Sequence, residues 1–382
     1  MEKVETIIIG GGISGLSCAR ELHGSSRDFL LISKELGGRI TSSADGEVNY
    51  GAFYVRSDYT HVLPFVKRGR PFKPSRFSVK RSGETLGIWE IFFRHPILFL
   101  KLLAHIYRFN YGYQKFKKNS LKYSQFEAIK KDLYLKKLLE IDAMSFLKEA
   151  GLQPLASYFL DQTIRSTAFM DVEEKNVSAL TMFACLLLFI LPTYEFRLDI
   201  KKLISGLEGS ILIDEVISTE YKDGLWSIKT AGGKTFCSEV LVAGMPIHIT
   251  KELLSLDIET NQKISVFMAH VKGVLKVEYR EVDECVALPI HSGGDIVITR
   301  EPNGTELFYS HDPNYDLSKY YESHEVIAKH YWHPAGYIGK TMLPCEFENN
   351  LFVIGDNNVC GMEDAAITGI YAANKILEKF PQ

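Results

Sequence analysis

The chain has 382 residues, 46% of them apolar and 24% charged, with a formal net charge of -3. That length exceeds what one hydrophobic core usually serves, so two intimately joined domains are expected, and the charge balance gives no global reason to expect nucleic acid. Six cysteines (Cys18, Cys185, Cys237, Cys285, Cys345 and Cys360) are scattered with no C-x-x-C pair, and the chain enters a strand at once. Together these features predict a reducing, cytoplasmic setting, buried thiols and no metal site.

Residues Val4 to Ile9 are mostly apolar and rich in Ile, which reads as a strand covered on both faces. They run straight into Gly10, Gly12 and Gly15 in a G-x-G-x-x-G pattern, followed by a helical pattern from Ser14 to Leu22. Strand, turn and helix in that order make the pattern a dinucleotide fingerprint: Gly10 for the tight turn, Gly12 for close approach to a pyrophosphate, Gly15 for helix packing. The free amides at the helix start, Ser14 among them, are the expected phosphate donors. A second strand, Phe29 to Ser33, should end in an acid for the ribose about 20 residues past the glycines. It ends in Ser33, with Glu35 two residues on. A hydroxyl still donates or accepts one hydrogen bond, so Ser33 is kept as a cofactor-binding residue.

Asn49 to Val55 ("NYGAFYV") returns to an extended pattern, residues 61 to 68 read as helical, and "VKRSGETLG" at 79 to 87 reads as a hairpin around Ser82 and Gly83. From Ile88 to about Leu203 the pattern is largely helical, with Asp142 as an N-cap and Gly151 as a C-cap of the segment between them. The uncharged run Ala179 to Pro192 is 14 residues long, too short to span a bilayer and suited to a buried helix. Ile88 to Tyr107 is longer but broken by Glu90, Arg94, His95, Pro96 and Lys101. Strands resume at 210 to 246, with turns at Asp223-Gly224 and Gly232-Gly233 that fit a meander. Alternating segments from Ile264 to about His311 read as the sheet of a substrate domain. "NLFVIGDNNVCGMEDAAITGIYAANKIL", 350 to 377, closes the chain as a strand, a Gly-Asp turn and a helix rich in small residues.

Between Lys101 and Lys137 ten Lys and Arg stand against Glu127 and Asp132, interleaved with Tyr and Phe. A helical cap with a solvated basic face is the plainer reading; the alternatives are nucleic acid or, ahead of it, peripheral contact with an anionic membrane surface or receipt of an anionic or lipophilic substrate.

Four stretches, spread from residue 4 to residue 377, resemble the flavin-containing amine oxidase superfamily, which also includes protoporphyrinogen oxidase and the carotenoid desaturases. They are the dinucleotide motif with "GGR" at Gly37 to Arg39, the "YGAFYV" segment, the meander opening at Val216 and closing on "VLVAGMP", and "VIGDNN…MEDAAITGIYAA". The resemblance implies FAD. It places Gly38 and Arg39 at the pyrophosphate, Ala52 and Phe53 beside the flavin ring, and the Val216 backbone at the adenine. Gly355 and Asp356 would meet the ribityl chain, with Met362 and Ala365 at the pyrimidine end. The sequence departs from the family pattern at Ser33 (usually Glu), at Asp364 (usually Gly) and at Gly361, where amine oxidases proper carry an aromatic cage residue.

The implied architecture is α/β: a Rossmann-like FAD-binding domain from residues 1–60, 205–250 and 345–382, and a mixed α+β substrate domain from 61–204 and 251–344. The implied activity is oxidation of a C-N or C-C bond of a small to medium, largely apolar substrate by hydride transfer to flavin. A polyene desaturase or isomerase, a flavin mutase, and a flavin-binding protein without turnover are the alternatives. Catalytic candidates are Lys272, against a solvated strand lysine, and Trp332 and Tyr337, against ordinary packed aromatics; His333 reads first as a structural histidine.

Overall fold

A computed structural model describes residues 2–52, 54–81, 84–169, 172–280, 285–288 and 296–381. The first strand β1 (Glu2–Gly11), the helix α1 (Ile13–Gly24) and the strand β2 (Phe29–Leu36) form the expected βαβ unit, with β1 and β2 parallel. β1 is also parallel to Thr235–Ala243, which in turn pairs with Leu351–Val353, so the last strand of the chain joins the sheet begun by the first. The resulting eight-stranded sheet carries the meander of Val216–Lys222, Leu225–Thr230 and Thr235–Ala243 at one edge. The Asp223-Gly224 turn has φ of 52° and 83°, as a tight hairpin of this kind demands.

One face of this sheet buries α1 and the C-terminal helix Met362–Lys379 in a core of Leu16, Ala19, Leu31, Val242, Ala366 and Ala373. The two helices touch backbone to backbone: a Cβ on Gly369 would lie 2.0 Å from the Ser14 carbonyl oxygen. Small residues in the last helix are therefore a packing requirement.

A second, seven-stranded mixed sheet is built from Phe77–Arg81, Glu84–Gly87, Gln262–Leu275, Cys285–Leu288, Ile296–Arg300, Glu306–Ser310 and Tyr321–Ile338. The hairpin expected at 79 to 87 has its strands in Phe77–Arg81 and Glu84–Gly87, which pair with each other, while its turn residues Ser82 and Gly83 lie outside the described residues. Helices from Ile88 to Leu186, including the 24-residue Pro96–Asn119, cover one face of this sheet and form the largest core. Asp142 caps Ala143–Glu149 by accepting from the Ser145 amide at 2.8 Å, and Gly151 follows with φ of 62°.

One expectation fails, and one strand lies where the sequence pattern indicates none. Residues 61–68 are not a helix: a single turn, Leu63–Phe65, leads into the strand Val66–Pro71, which pairs with Thr193–Leu198. Pro64 permits a helix start, but the edge of the partner strand captures the β-branched Val66 and the residues after it. Tyr321–Ile338, the longest strand, has no strong pattern in the sequence because its residues from 322 to 333 are exposed or half-buried. Its pairing with Gln262–Leu275 supplies what the hydrophobic pattern lacks.

Candidate functional site

At the carboxyl end of β1 the chain turns through Gly10, whose φ is +113°, a conformation that residues with a Cβ rarely adopt. A Cβ on Gly15 would lie 2.0 Å from the Gly10 carbonyl oxygen, so α1 sits directly on the turn. Gly12 caps α1 without a side chain, a Cβ there would meet nothing within 4 Å, and the first turn carries no acid. The positive end of α1, with Gly12 and buried Ser14, is thus a cradle with the charge and the clearance that a pyrophosphate needs. Gly38 closes over it, its Cβ position 3.2 Å from the Gly12 Cα. The cradle fits a dinucleotide.

Ser33 is committed to the protein itself. Its hydroxyl accepts from the Gly11 amide at 2.8 Å and donates to the Glu35 carbonyl oxygen at 2.6 Å. That leaves it one lone pair and no proton for a ribose, and it fastens the glycine loop instead. The Glu35 side chain is exposed.

Arg39 joins three distant segments. Its guanidinium donates to Asp356 Oδ1 at 2.6 Å and to the Ala335 carbonyl oxygen at 2.9 Å, while a Cβ on Gly51 would lie 2.2 Å from the Arg39 carbonyl oxygen. Gly355 donates its amide to Thr368 Oγ1 at 2.8 Å, tying the Gly-Asp turn to the C-terminal helix. Met362, half-buried, opens that helix, and Ala365 is buried one turn later. Ala52, half-buried, packs in the same core, and Val216 begins the meander opposite Thr230. Phe53 lies outside the described residues.

Two buried acids start the C-terminal helix. Glu363 accepts from the amides of His61 (3.0 Å) and Val62 (3.1 Å) and from Thr60 Oγ1 (3.1 Å), which pins that loop against the helix. Asp364 is pushed up to about 6 by burial, with Lys117, Tyr113 and Arg56 pulling the other way. Nearby, Asp58 lies between Arg56 and Lys117; burial opposes its charge, yet the two cations hold it well below the ordinary carboxyl range. The sequence flagged Asp364 only as a departure from glycine, because its partners are brought together by the fold.

Of the three catalytic candidates, Trp332 and Tyr337 lie at this place, Tyr337 close enough to Arg39 and Asp356 for their charges to act on it, and Lys272 does not. Trp332 lies 3.7 Å from the Cβ position of Gly51 and stacks on His330, which packs on Tyr50. Tyr50 and His270 belong to a chain that sequence reading missed. Thr305 Oγ1 donates to Asn303 Oδ1 at 2.7 Å and so accepts from His270 Nε2 at 2.7 Å; His270 Nδ1 then accepts from the Tyr50 hydroxyl at 2.9 Å. Burial lowers the His270 pKa, which suits this neutral ring. Lys272 is exposed opposite Glu325, six positions along the strand from the Val266 and Trp332 pair, a separation of about 20 Å. Tyr337 is buried in the core under the nucleotide-side sheet, with its hydroxyl 3.0 Å from His248 Nδ1. His333 bonds Ser265 Oγ at 2.6 Å.

Beside the 49–54 loop lies a cavity of about 360 Å³. Phe72, Leu188 and Phe196 give it apolar wall, and Arg70, Glu195, Arg197 and Glu301 give it charge. Arg70 pairs with Glu195 and Arg197 with Glu47, leaving the Glu301 carboxyl without an ion-pair partner among the described residues. Burial, then repulsion from Glu195, lifts Glu301 to about 7 against the pull of Arg70 and Arg197. Among the described residues there is no cluster of His, Cys, Asp or Glu able to hold a metal ion, and no helix is long and apolar enough to cross a membrane.

Residues 8–68 match the family model of an NAD(P)-binding Rossmann-like domain. No curated protein matches the chain significantly. Among solved structures, putrescine oxidase bound to putrescine superposes with a TM-score of 0.70 at 11% identity, covering 98% of this chain and 99% of that one. Cyclohexylamine oxidase from Brevibacterium oxydans gives 0.66 at 13% identity over 99% and 100%. A fatty acid isomerase from P. acnes that produces CLA gives 0.66 at 14% over 99% of each chain. The chain therefore has the amine-oxidase fold, built on an N-terminal Rossmann-like nucleotide-binding segment.

Proposed function

We propose that the protein is an FAD-dependent oxidoreductase. The observation that carries this reading is the Arg39 junction: its guanidinium holds the Gly-Asp turn ahead of the C-terminal helix and the Ala335 carbonyl oxygen, its backbone carbonyl meets the Gly51 segment, and its neighbour Gly38 closes over the phosphate cradle. The βαβ unit alone fits either dinucleotide; a second segment, from the far end of the chain, that meets it through Arg39 favours the longer flavin nucleotide. Gly10, Gly12, Ser14, Gly15 and Gly38 would hold its pyrophosphate, with Arg39 and Asp356 beside the linking chain and Ala52, Met362 and Ala365 toward the ring. When bound, FAD supplies the redox chemistry by accepting a hydride from a substrate carbon.

The chain's own residues position the substrate and exclude water. Trp332 gives an apolar wall next to Gly51, held by its stack on His330 and, through Tyr50, by the His270 and Thr305 chain. The cavity at Phe72 and Leu188 takes the apolar body of the substrate, and Glu301 meets a basic group on it. A basic substrate oxidised at a C-N bond is the reading this cavity favours, in place of a wholly apolar one. The test is anaerobic titration of the purified protein with primary and secondary amines and, separately, with unsaturated fatty acids. Bleaching of flavin absorbance by an amine, followed by peroxide in air, is the expected result; bleaching by none of them would remove the oxidoreductase assignment.

A further inference from the structure

The helices Ile88–Arg94 and Pro96–Asn119 present a face to solvent that their role in the core does not explain. Trp89, Phe93, Ile97 and Leu100 are 61%, 75%, 79% and 58% exposed. They are one patch: the Phe92 ring contacts those of Trp89, Phe93 and Phe99, and Ile97 and Leu100 follow on the first turns of the longer helix. Along that helix the exposed positions continue at three- and four-residue intervals through Lys101, Ala104, Arg108, Tyr111, Lys115 and Lys118, with exposed Tyr107 beside them. The face therefore grades from apolar to aromatic to cationic.

The charge along it has one sign. No Asp or Glu occurs from residue 91 to residue 126, and Lys101, Lys115, Lys118 and Lys122 have no ion-pair partner among the described residues. Glu90, beside the patch, caps the start of its own helix by accepting from the Gly87 amide at 2.8 Å. Lys117 on the same helix turns inward to Asp58, so the exposed cations are free of the buried charge cluster. A protein partner with an apolar groove would match the patch alone. An anionic bilayer matches both parts, since apolar and aromatic side chains enter the headgroup boundary while lysines meet the negative surface.

We propose that this face docks the protein peripherally on anionic membranes, with Trp89, Phe93, Ile97 and Leu100 inserted and Lys101, Lys115 and Lys118 against lipid phosphates. The docking is independent of the redox reading and holds for the chain whatever its substrate.

Trp89 makes the test direct. Trp226 is buried and Trp332 half-buried, so Trp89 is the tryptophan whose emission responds to a bilayer. The full-length protein is mixed with phosphatidylcholine vesicles, with or without phosphatidylglycerol, and followed by flotation and by fluorescence. Expected are flotation with the anionic vesicles only, a blue shift of emission, and release at high salt. Lys115→Ala and Lys118→Ala should each weaken partition about fivefold, and Trp89→Ser with Phe93→Ser should abolish it. Circular dichroism of these surface variants confirms that they fold. Three results would overturn the proposal: no flotation with any vesicle, equal flotation with neutral vesicles, or a dimer in solution that Trp89→Ser with Phe93→Ser dissociates, which would make a second copy the occupant of the face.

Discussion

Arg39 and Asp356, 317 residues apart in sequence, meet at 2.6 Å, and the same guanidinium holds the Ala335 carbonyl oxygen. The pair is the point at which both ends of the chain and the substrate-side sheet are tied together. Replacing Arg39 by Met leaves the Asp356 carboxylate mostly buried without its cation. With the partial exposure of Arg39 taken into account, the expected cost is about 1–2 kcal/mol, together with loss of FAD on purification. In Arg39→Met with Asp356→Asn, thermal stability should recover in part while FAD content should not; recovery of both would show that the pair is only structural.

Gly369 meets the Ser14 carbonyl oxygen so closely that a methyl group cannot enter without moving a helix. Gly369→Ala should therefore cost more than about 3 kcal/mol, well beyond the helix-propensity gain of the same change at an exposed position. Denaturant unfolding measures it. A neutral effect would mean that α1 and the C-terminal helix have room between them for a methyl group.

Asp364 and Asp58 should move stability with pH in opposite directions. Asp364 rises from its ordinary 3.8 to about 6 through burial, so between those values the folded state keeps a proton that the unfolded chain has lost. Stability attributable to it falls as pH increases through that window, and Asp364→Asn should be the more stable protein at pH 7.5 by up to about 3 kcal/mol, with no difference near pH 4. Asp58 is held below its ordinary value, so its contribution is present above pH 4 and lost as pH falls further. Asp58→Asn should cost about 3–5 kcal/mol at neutral pH, because Arg56 and Lys117 stay buried without it. Chemical denaturation of the three proteins across pH checks both signs.

Glu301 ionises near neutrality, so binding of a basic substrate should strengthen as pH rises through about 7. The expected signature is a KM that falls through that range while kcat changes little; Glu301→Gln should flatten it and raise KM about tenfold. An unchanged pH profile in the variant would remove Glu301 from the substrate site.

Features set by local chemistry were legible in the sequence. The glycine fingerprint, the Asp142 cap and the Asp223-Gly224 turn each depend on residues within a few positions of one another, and the last helix shows its small residues in its own stretch although their partner α1 is distant. Features set by a distant partner were not. The strand Tyr321–Ile338 owes its existence to Gln262–Leu275, and Val66–Pro71 owes its own to Thr193–Leu198. Register explains the catalytic candidates in the same way. Lys272 and Trp332 lie on paired strands, yet the pairing places them far apart, whereas Tyr50 and His270, unremarkable in sequence, are in hydrogen-bond contact. Ser33 was legible as an anomaly, but its bond to Gly11 required the folded loop.

The central claim is that the cradle at Gly10 to Gly15 and the Arg39 junction hold FAD. The direct measurement is the near-ultraviolet and visible absorbance of the purified protein, with any cofactor then released by denaturation and identified by mass. Flavin bands and released FAD at close to one per chain are predicted, with both reduced in Arg39→Met. A colourless protein that does not take up added FAD, or one that releases a nicotinamide nucleotide, would contradict it.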